Sequence, residues 1–186
     1  MTRQTPRRLV LSTLVSLNGV ISEPLKWAGP YFGPGSAAAS LAALRGYEAM
    51  LMGRRTYDIF SRQWPATPGE YAAHLNAMRK YVFSSSLRQP RWTNTAVIDD
   101  DVVDAVAALK REAGGDLIVC GHGRFGQTLT AAGLIDELAL TVVPVIVPDG
   151  DTFARPGGTG SVWELLSAEP GADPGLVSLR YRPARG

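Results

Sequence analysis

Cysteine, histidine, charge of one sign and long apolar runs are what this 186-residue chain has least of: it carries one Cys and two His. The single thiol, Cys120, cannot close an internal disulfide, which excludes a disulfide scaffold and is compatible with a reducing compartment. It stands inside an apolar run, where a cysteine behaves as a small buried hydrophobe. His74 and His122 are far apart and lack neighbouring ligands, so no metal is expected. The stretch from Leu9 to Leu17 is interrupted, too short to span a bilayer, and followed by Asn18-Gly19 without a small-residue cleavage pattern. It reads as a strand rather than a signal, and the expectation is a cytoplasmic protein with no membrane partner. Nineteen basic and seventeen acidic residues leave a net charge of only +2. A nucleic-acid partner needs a clustered basic face and is not expected; Arg3, Arg7 and Arg8 read as a frayed basic end, with residues 1–7 a flexible tail.

What is present suits one globular domain: 45% hydrophobic and 19% charged residues give a full core. Arg8 to Val15 reads as a buried first strand, and Glu23 to Gly35 as a loop rich in proline and rings. Ser36 caps a helix running to Arg45, and Ala49 to Met52 is a short strand. Helices are expected over Thr56 to Arg62 and Glu70 to Met78, and strands over Lys80 to Phe83 and Ala96 to Ile98. Asp99-Asp100-Asp101 supplies caps for a helix with Val102, Val106 and Leu109 on one stripe. Leu117 to Cys120 is a central strand, Arg124 to Ala132 a helix closed by Gly133, and Ala139 to Val147 the longest strand, interrupted only by Pro144. Val162 to Leu166 is weakly patterned, and Leu176 to Tyr181 closes the chain. Strands alternating with helices predict a mainly parallel sheet covered on both faces, with an antiparallel edge. Ligands of such sheets sit beyond the carboxyl ends of the strands.

Three strand-to-helix turns carry the chemistry, each with a plain structural alternative. In Met52-Gly53-Arg54-Arg55-Thr56-Tyr57 the glycine admits a ligand to the backbone, free N–H groups favour a phosphate, and the guanidinium groups can fork onto its oxygens. In Phe83-Ser84-Ser85-Ser86 three hydroxyls either bond a ribose phosphate or satisfy turn amides. In Val119-Cys120-Gly121-His122-Gly123-Arg124-Phe125 an apolar strand meets two glycines and a helix start, although the full G-x-G-x-x-G spacing is absent.

From Val10 to Tyr181 the chain resembles the dihydrofolate reductase-like family, in the branch similar to the reductase domain of bacterial riboflavin-pathway deaminase-reductases. The segments that carry the likeness are Ser16-Leu17-Asn18-Gly19-Val20-Ile21, the Gly53-Arg54-Arg55-Thr56 turn, Tyr81 to Ser86, Gly121-His122-Gly123 and Gly133-Leu134-Ile135-Asp136-Glu137-Leu138. The resemblance implies a three-layer αβα fold and NADPH as cofactor, with a flavin left open. It implies that Gly53, Arg54, Arg55, Thr56, Ser84 and Ser85 hold the adenosine-ribose and phosphate end, and that Gly121, Gly123, Arg124 and Phe125 hold the pyrophosphate. It places a substrate pocket among Asn18, Trp27, Tyr31, Phe32 and Trp64, where the rings either stack on a heteroaromatic substrate or pack a loop over the core. It further implies hydride transfer to a small heteroaromatic or carbonyl compound, as in 5-amino-6-(5-phosphoribosylamino)uracil reduction, and a homodimer. Asp136 and Glu137 read as structural residues at a helix-to-strand junction.

The chain departs from its relatives in two places. Asn18 stands where many members of the branch carry aspartate, and Ser36 to Gly46 offers no carboxylate, although the folate enzymes carry one on the first helix. The nearest in sequence, Glu48, reads as solvated at a strand start. Protonating a pterin nitrogen during hydride transfer needs an acid or a carboxylate-held water. A binding protein that keeps the fold without proton-transfer chemistry is therefore the rival expectation.

Overall fold

The structure, a computed structural model, describes residues 6–154 and 160–184. Eight strands form one sheet: β1 (Leu9–Ser16), β2 (Ala49–Gly53), β3 (Arg79–Phe83), β4 (Thr95–Ile98), β5 (Leu117–Cys120), β6 (Glu137–Val143), β7 (Trp163–Pro170) and β8 (Val177–Pro183). Their order across the sheet is β4-β3-β2-β5-β1-β6-β8-β7. The first six run parallel, and β8 pairs antiparallel with both β6 and β7. The carboxyl ends of β3, β2, β5 and β1 consequently lie along one edge, where the glycine and serine turns begin.

The helices are α1 (Pro24–Trp27), α2 (Pro34–Leu44), α3 (Arg54–Gln63), α4 (Glu70–Ala77), α5 (Val102–Arg111) and α6 (Arg124–Ala131). On one face Leu9, Leu11, Leu51, Leu117 and Val119 pack against Val106 and Leu109 of α5 and Leu129 of α6. On the other, Met50, Met52, Val82 and Ile118 meet Leu44 of α2, Tyr57 of α3 and Leu75 of α4. Central strands covered on both sides must be apolar at every position, as β2 and β5 are. Lys80 in β3 is a charged exception: it is fully buried, its Nζ donates to the carbonyls of Asn76 (3.0 Å) and Met78 (2.5 Å), and it lies 4.5 Å from the centre of the Trp92 ring. Burial pushes its pKa down to about 8.

Several sequence expectations are corrected. The segment Glu23 to Gly35 is not an open loop but winds through α1 and a 3-10 turn, Gly29–Tyr31. Pro24, Pro30 and Pro34 each sit in the first turn of a helical segment, where the missing N–H costs nothing. Ser36 is not the cap of α2; the helix opens at Pro34 with Gly33 before it. β6 starts two residues before Ala139 and ends ahead of Pro144, so it is shorter than β1 and β7, and Trp163–Pro170 is a full strand. Asp101 does cap α5, accepting from Val103 N (2.9 Å) and Asp104 N (3.1 Å).

The basic start is not frayed where the structure describes it. Arg7 is 3% exposed, donates to Gly115 O (2.6 Å) and to Glu48 Oε1 (3.0 Å), and Arg8 is tied to Asp116. Glu48 is exposed, as expected at a strand start, but it is held in an ion pair with Arg7 and also accepts from Gly115 N. Arg3 lies outside the described residues. At the opposite flank Asp136 accepts from Leu9 N and Lys110 Nζ, and buried Glu137 pairs with Arg180, both structural as expected.

Candidate functional site

Two helices begin side by side at the carboxyl edge of the sheet. Gly53 precedes α3 and Gly123 precedes α6, and neither first turn is capped by a side chain. Their free N–H groups and the positive ends of their dipoles favour an anion. The approach is close: a Cβ on Gly53 would stand 3.1 Å from Phe125 Cβ, and one on Gly121 would stand 3.8 Å from Thr56 Oγ1. Gly121 has φ +84°, a left-handed conformation that strains a residue with a Cβ, whereas Gly123 has φ −66° with open space around it. Thus Gly53, Thr56, Gly121, Gly123 and Phe125 are brought together as expected, and Phe125 stacks at 4.7 Å on Phe83, at the end of β3. Arg124 is exposed in the first turn of α6.

The serine turn joins through Ser86, one of its three hydroxyls but not one of the two that the resemblance assigned. Arg54 forks onto Asp58 (2.8 and 2.9 Å) and donates to Ser86 Oγ (3.4 Å). Ser84 instead accepts from Ser86 N (3.3 Å) and Leu87 N (3.1 Å), the turn-forming role weighed for it, and Ser85 is exposed beside it. Arg55 points elsewhere, reaching Asp151 at 3.5 Å across to the segment that follows β6. Along the outer side of α3, facing Glu23 and Leu25, runs an open groove of about 750 Å³ flanked by Arg54, Arg55 and Arg62.

His122, between the two glycines, is 4% exposed and stacks on Phe153 with ring centres 4.0 Å apart. Burial drives its pKa down to about 4, against a smaller opposing pull from the Phe153 main chain. The imidazole is therefore neutral near pH 7 and contributes no charge to an anion; its Nδ1 is buried without a hydrogen-bond partner. Cys120, two residues earlier at the end of β5, has its thiol pushed by burial up to about 12, so it is not a nucleophile at neutral pH.

Of the residues expected to form a substrate pocket, Trp27 and Tyr31 share one cluster and Trp64 belongs to another. Asn18 spends its amide on the main chain: Oδ1 accepts from Val147 N (3.0 Å) and Ser16 Oγ (2.8 Å), and Nδ2 donates to Val147 O (2.7 Å). Trp27 donates to Ser22 O and packs with Tyr31 around Val143 and Leu176. Phe32 is 37% exposed. Trp64 belongs to a separate cluster, edge-on to Phe60 (6.0 Å) and Tyr71 (5.1 Å). Among the described residues no group of histidine, cysteine and carboxylate side chains could hold a metal, and no helix is long and apolar enough to cross a membrane.

The family model described as the RibD C-terminal domain matches residues 7–173. The protein YyaP of Bacillus subtilis (strain 168) is 28% identical over 153 residues, which cover 77% of this chain and 78% of YyaP. Among solved structures, a Shewanella sp. PV-4 protein assigned to riboflavin biosynthesis superposes with a TM-score of 0.77 at 19% identity, covering 96% of this chain and 99% of that one. The diaminohydroxyphosphoribosylaminopyrimidine deaminase/5-amino-6-(5-phosphoribosylamino)uracil reductase of Thermotoga maritima gives 0.67 at 15% identity, over 96% of this chain and 57% of that larger one. At these identities the superpositions establish the fold, an αβα sandwich of the dihydrofolate reductase-like kind.

Proposed function

The chain belongs to the RibD C-terminal domain family, and from that premise we propose that it is an NADPH-dependent reductase of a small heteroaromatic or carbonyl compound. The observation that carries this is the pair of uncapped helix starts, α3 and α6, facing each other across Gly53 and Gly121 where added Cβ atoms would fill the gap. These residues fit a dinucleotide. The N–H groups after Gly53 and Gly123 would hold phosphates, and Arg54 with Ser86 would hold a ribose 2′-phosphate. Bound NADPH would supply the hydride, and the protein position and electrostatics.

The chain's own part is to bind, orient and exclude water. Gly121 and Gly123 keep side chains off the path of the phosphates, and neutral His122 between them, stacked on Phe153, adds no charge. Arg55, Arg62 and the groove beside α3 favour an anionic substituent on the substrate. Titration with NADPH followed by fluorescence tests the cofactor, and mass spectrometry of any nucleotide that copurifies separates NADPH from flavin. No binding of either would remove this reading.

A second reading, a nucleotide- or ligand-binding protein without turnover, is favoured by one observation. Helix α2 carries no acid, and the Asn18 amide is engaged with Val147. NADPH binding that persists with no oxidation across heteroaromatic and carbonyl compounds would select it.

A further inference from the structure

His122 is a buried titratable group to which hydride transfer gives no task. It is the one side chain between Gly121 and Gly123, and so the handle by which the rest of the molecule can hold that turn. A ring placed there for packing alone carries a cost, because its Nδ1 is buried with no hydrogen-bond partner. Phenylalanine would fill the space without it. What the imidazole adds is its other nitrogen, hydrogen-bonded to the main chain of Phe153, whose ring lies 4.0 Å away at an interplanar angle of 16°.

Phe153 belongs to the short segment Asp151–Ala154. Its neighbours Asp151, Thr152 and Ala154 are exposed, whereas Phe153 is partly buried against the core on the α5 and α6 side. The same segment runs along the first turn: Phe153 N donates to Gly19 O (2.8 Å), Ile21 N donates to Asp151 O (2.9 Å), and Val20 forms an antiparallel bridge with Thr152. The start of α3 reaches it as well, through Arg55 and Asp151 at 3.5 Å, but both side chains are exposed and such a pair is weak. The stack on His122 is the firmer hold.

We propose that His122 is a positioning residue that fastens Asp151–Phe153, and with it the first turn Gly19–Ile21, to the turn that binds the nucleotide. The inference rests on the nucleotide reading of Gly121 and Gly123 given above. A turn held in one arrangement by the stack presents the N–H groups at the head of α6 ready aimed, and by reciprocity an anion bound to them holds the stack. Filling the turn therefore steadies Gly19–Ile21. One ring stack and one hydrogen bond are together worth on the order of tenfold in an equilibrium, which sets the size of the effect.

Hydrogen exchange of the full chain, with and without saturating NADPH, tests this when read at the Ile21 and Phe153 amides beside a fluorescence titration of the same samples. In the unaltered protein NADPH should slow both amides by about tenfold. His122→Phe keeps a ring on Phe153 but not the N–H; it should bind NADPH about three- to tenfold more weakly and lose the slowing at both amides. His122→Gln returns an N–H at similar reach and should restore part of each. Should His122→Phe fail to fold by circular dichroism, Phe153→Leu breaks the stack from the other side, with the same losses expected. NADPH binding that leaves both amides unchanged in the unaltered protein, or slowing that persists in His122→Phe, would overturn this inference alone. No NADPH binding at all would overturn the nucleotide reading together with it.

Discussion

Asp173, in the turn between β7 and β8, caps α2: its carboxylate accepts from Ser36 N (2.8 Å) and from Gly33 N (2.7 Å). The cap joins the far hairpin to the second helix across 137 positions of chain. Hydrogen bonds from Ser36 first, and then from Gly33, hold the carboxyl below its usual range. A carboxyl with a lowered folded-state value contributes stability above its unfolded pKa and loses it as pH falls through the folded one. Asp173→Ala should therefore lower the melting temperature at pH 7 while leaving melts below the folded-state pKa nearly unchanged. A uniform drop at both pH values would show that the effect is not the charge.

Most of the parallel sheet was legible because buried strands must be apolar throughout, as Leu117 to Cys120 is, and because Asp101 marks a helix start locally. The Asp173 cap was not legible: a carboxylate arriving from a distant turn leaves no mark beside Gly33, while Ser36 offers a false local one. The start of β6 was hidden by Glu137, whose charge looks foreign to a strand until Arg180 on β8 is seen beside it. The bulge between Leu165 and Ser167 interrupts alternation and blurred β7. Prolines 24, 30 and 34 read as loop punctuation, though the first helical turn is also a place for proline. At the site, the glycine turns were readable from composition. The partnership of Arg54 with Ser86, rather than with Ser84 or Ser85, depends on which hydroxyl the turn itself consumes.

The chain should bind NADPH more tightly than NADH, with Arg54 and Ser86 meeting the 2′-phosphate. Charge-assisted hydrogen bonds contribute roughly 1.5 to 3 kcal/mol each, so Arg54→Ala should erase about one to two decades of preference. Paired fluorescence titrations measure it, and equal dissociation constants in the unaltered protein would defeat the assignment.

Gly121 and Gly123 should separate folding from binding. Gly121→Ala places a Cβ at φ +84°, costing about 1 to 2 kcal/mol, so its melting temperature and its affinity fall together. Gly123→Val meets open space at an ordinary φ and should keep its melting temperature while losing nucleotide affinity. Loss of stability in Gly123→Val would assign that glycine to packing instead.

Dihydrofolate should be reduced poorly or not at all. General acid assistance is commonly worth about two to four decades of rate, and α2 holds no acid, while Glu48 sits at the amino-terminal edge of the sheet, bonded to Arg7. A turnover of about 1 per second or more in an NADPH oxidation assay would contradict this.

Arg7→Ala should lower stability by roughly 1.5 to 3 kcal/mol, because a buried guanidinium bonded to Gly115 and Glu48 is lost. Chemical denaturation reads the change. A difference under about 0.5 kcal/mol would return this residue to the exposed class.

The place of β8 between β6 and β7 also bears on how the protein is made. β7 leaves the ribosome before the strand that attaches it to the sheet. Until β8 has paired with β6, β7 has no strand to join, and the partly exposed Leu165 and Leu166 have no neighbour strand. The outer hairpin is therefore the last part of the sheet that can be completed.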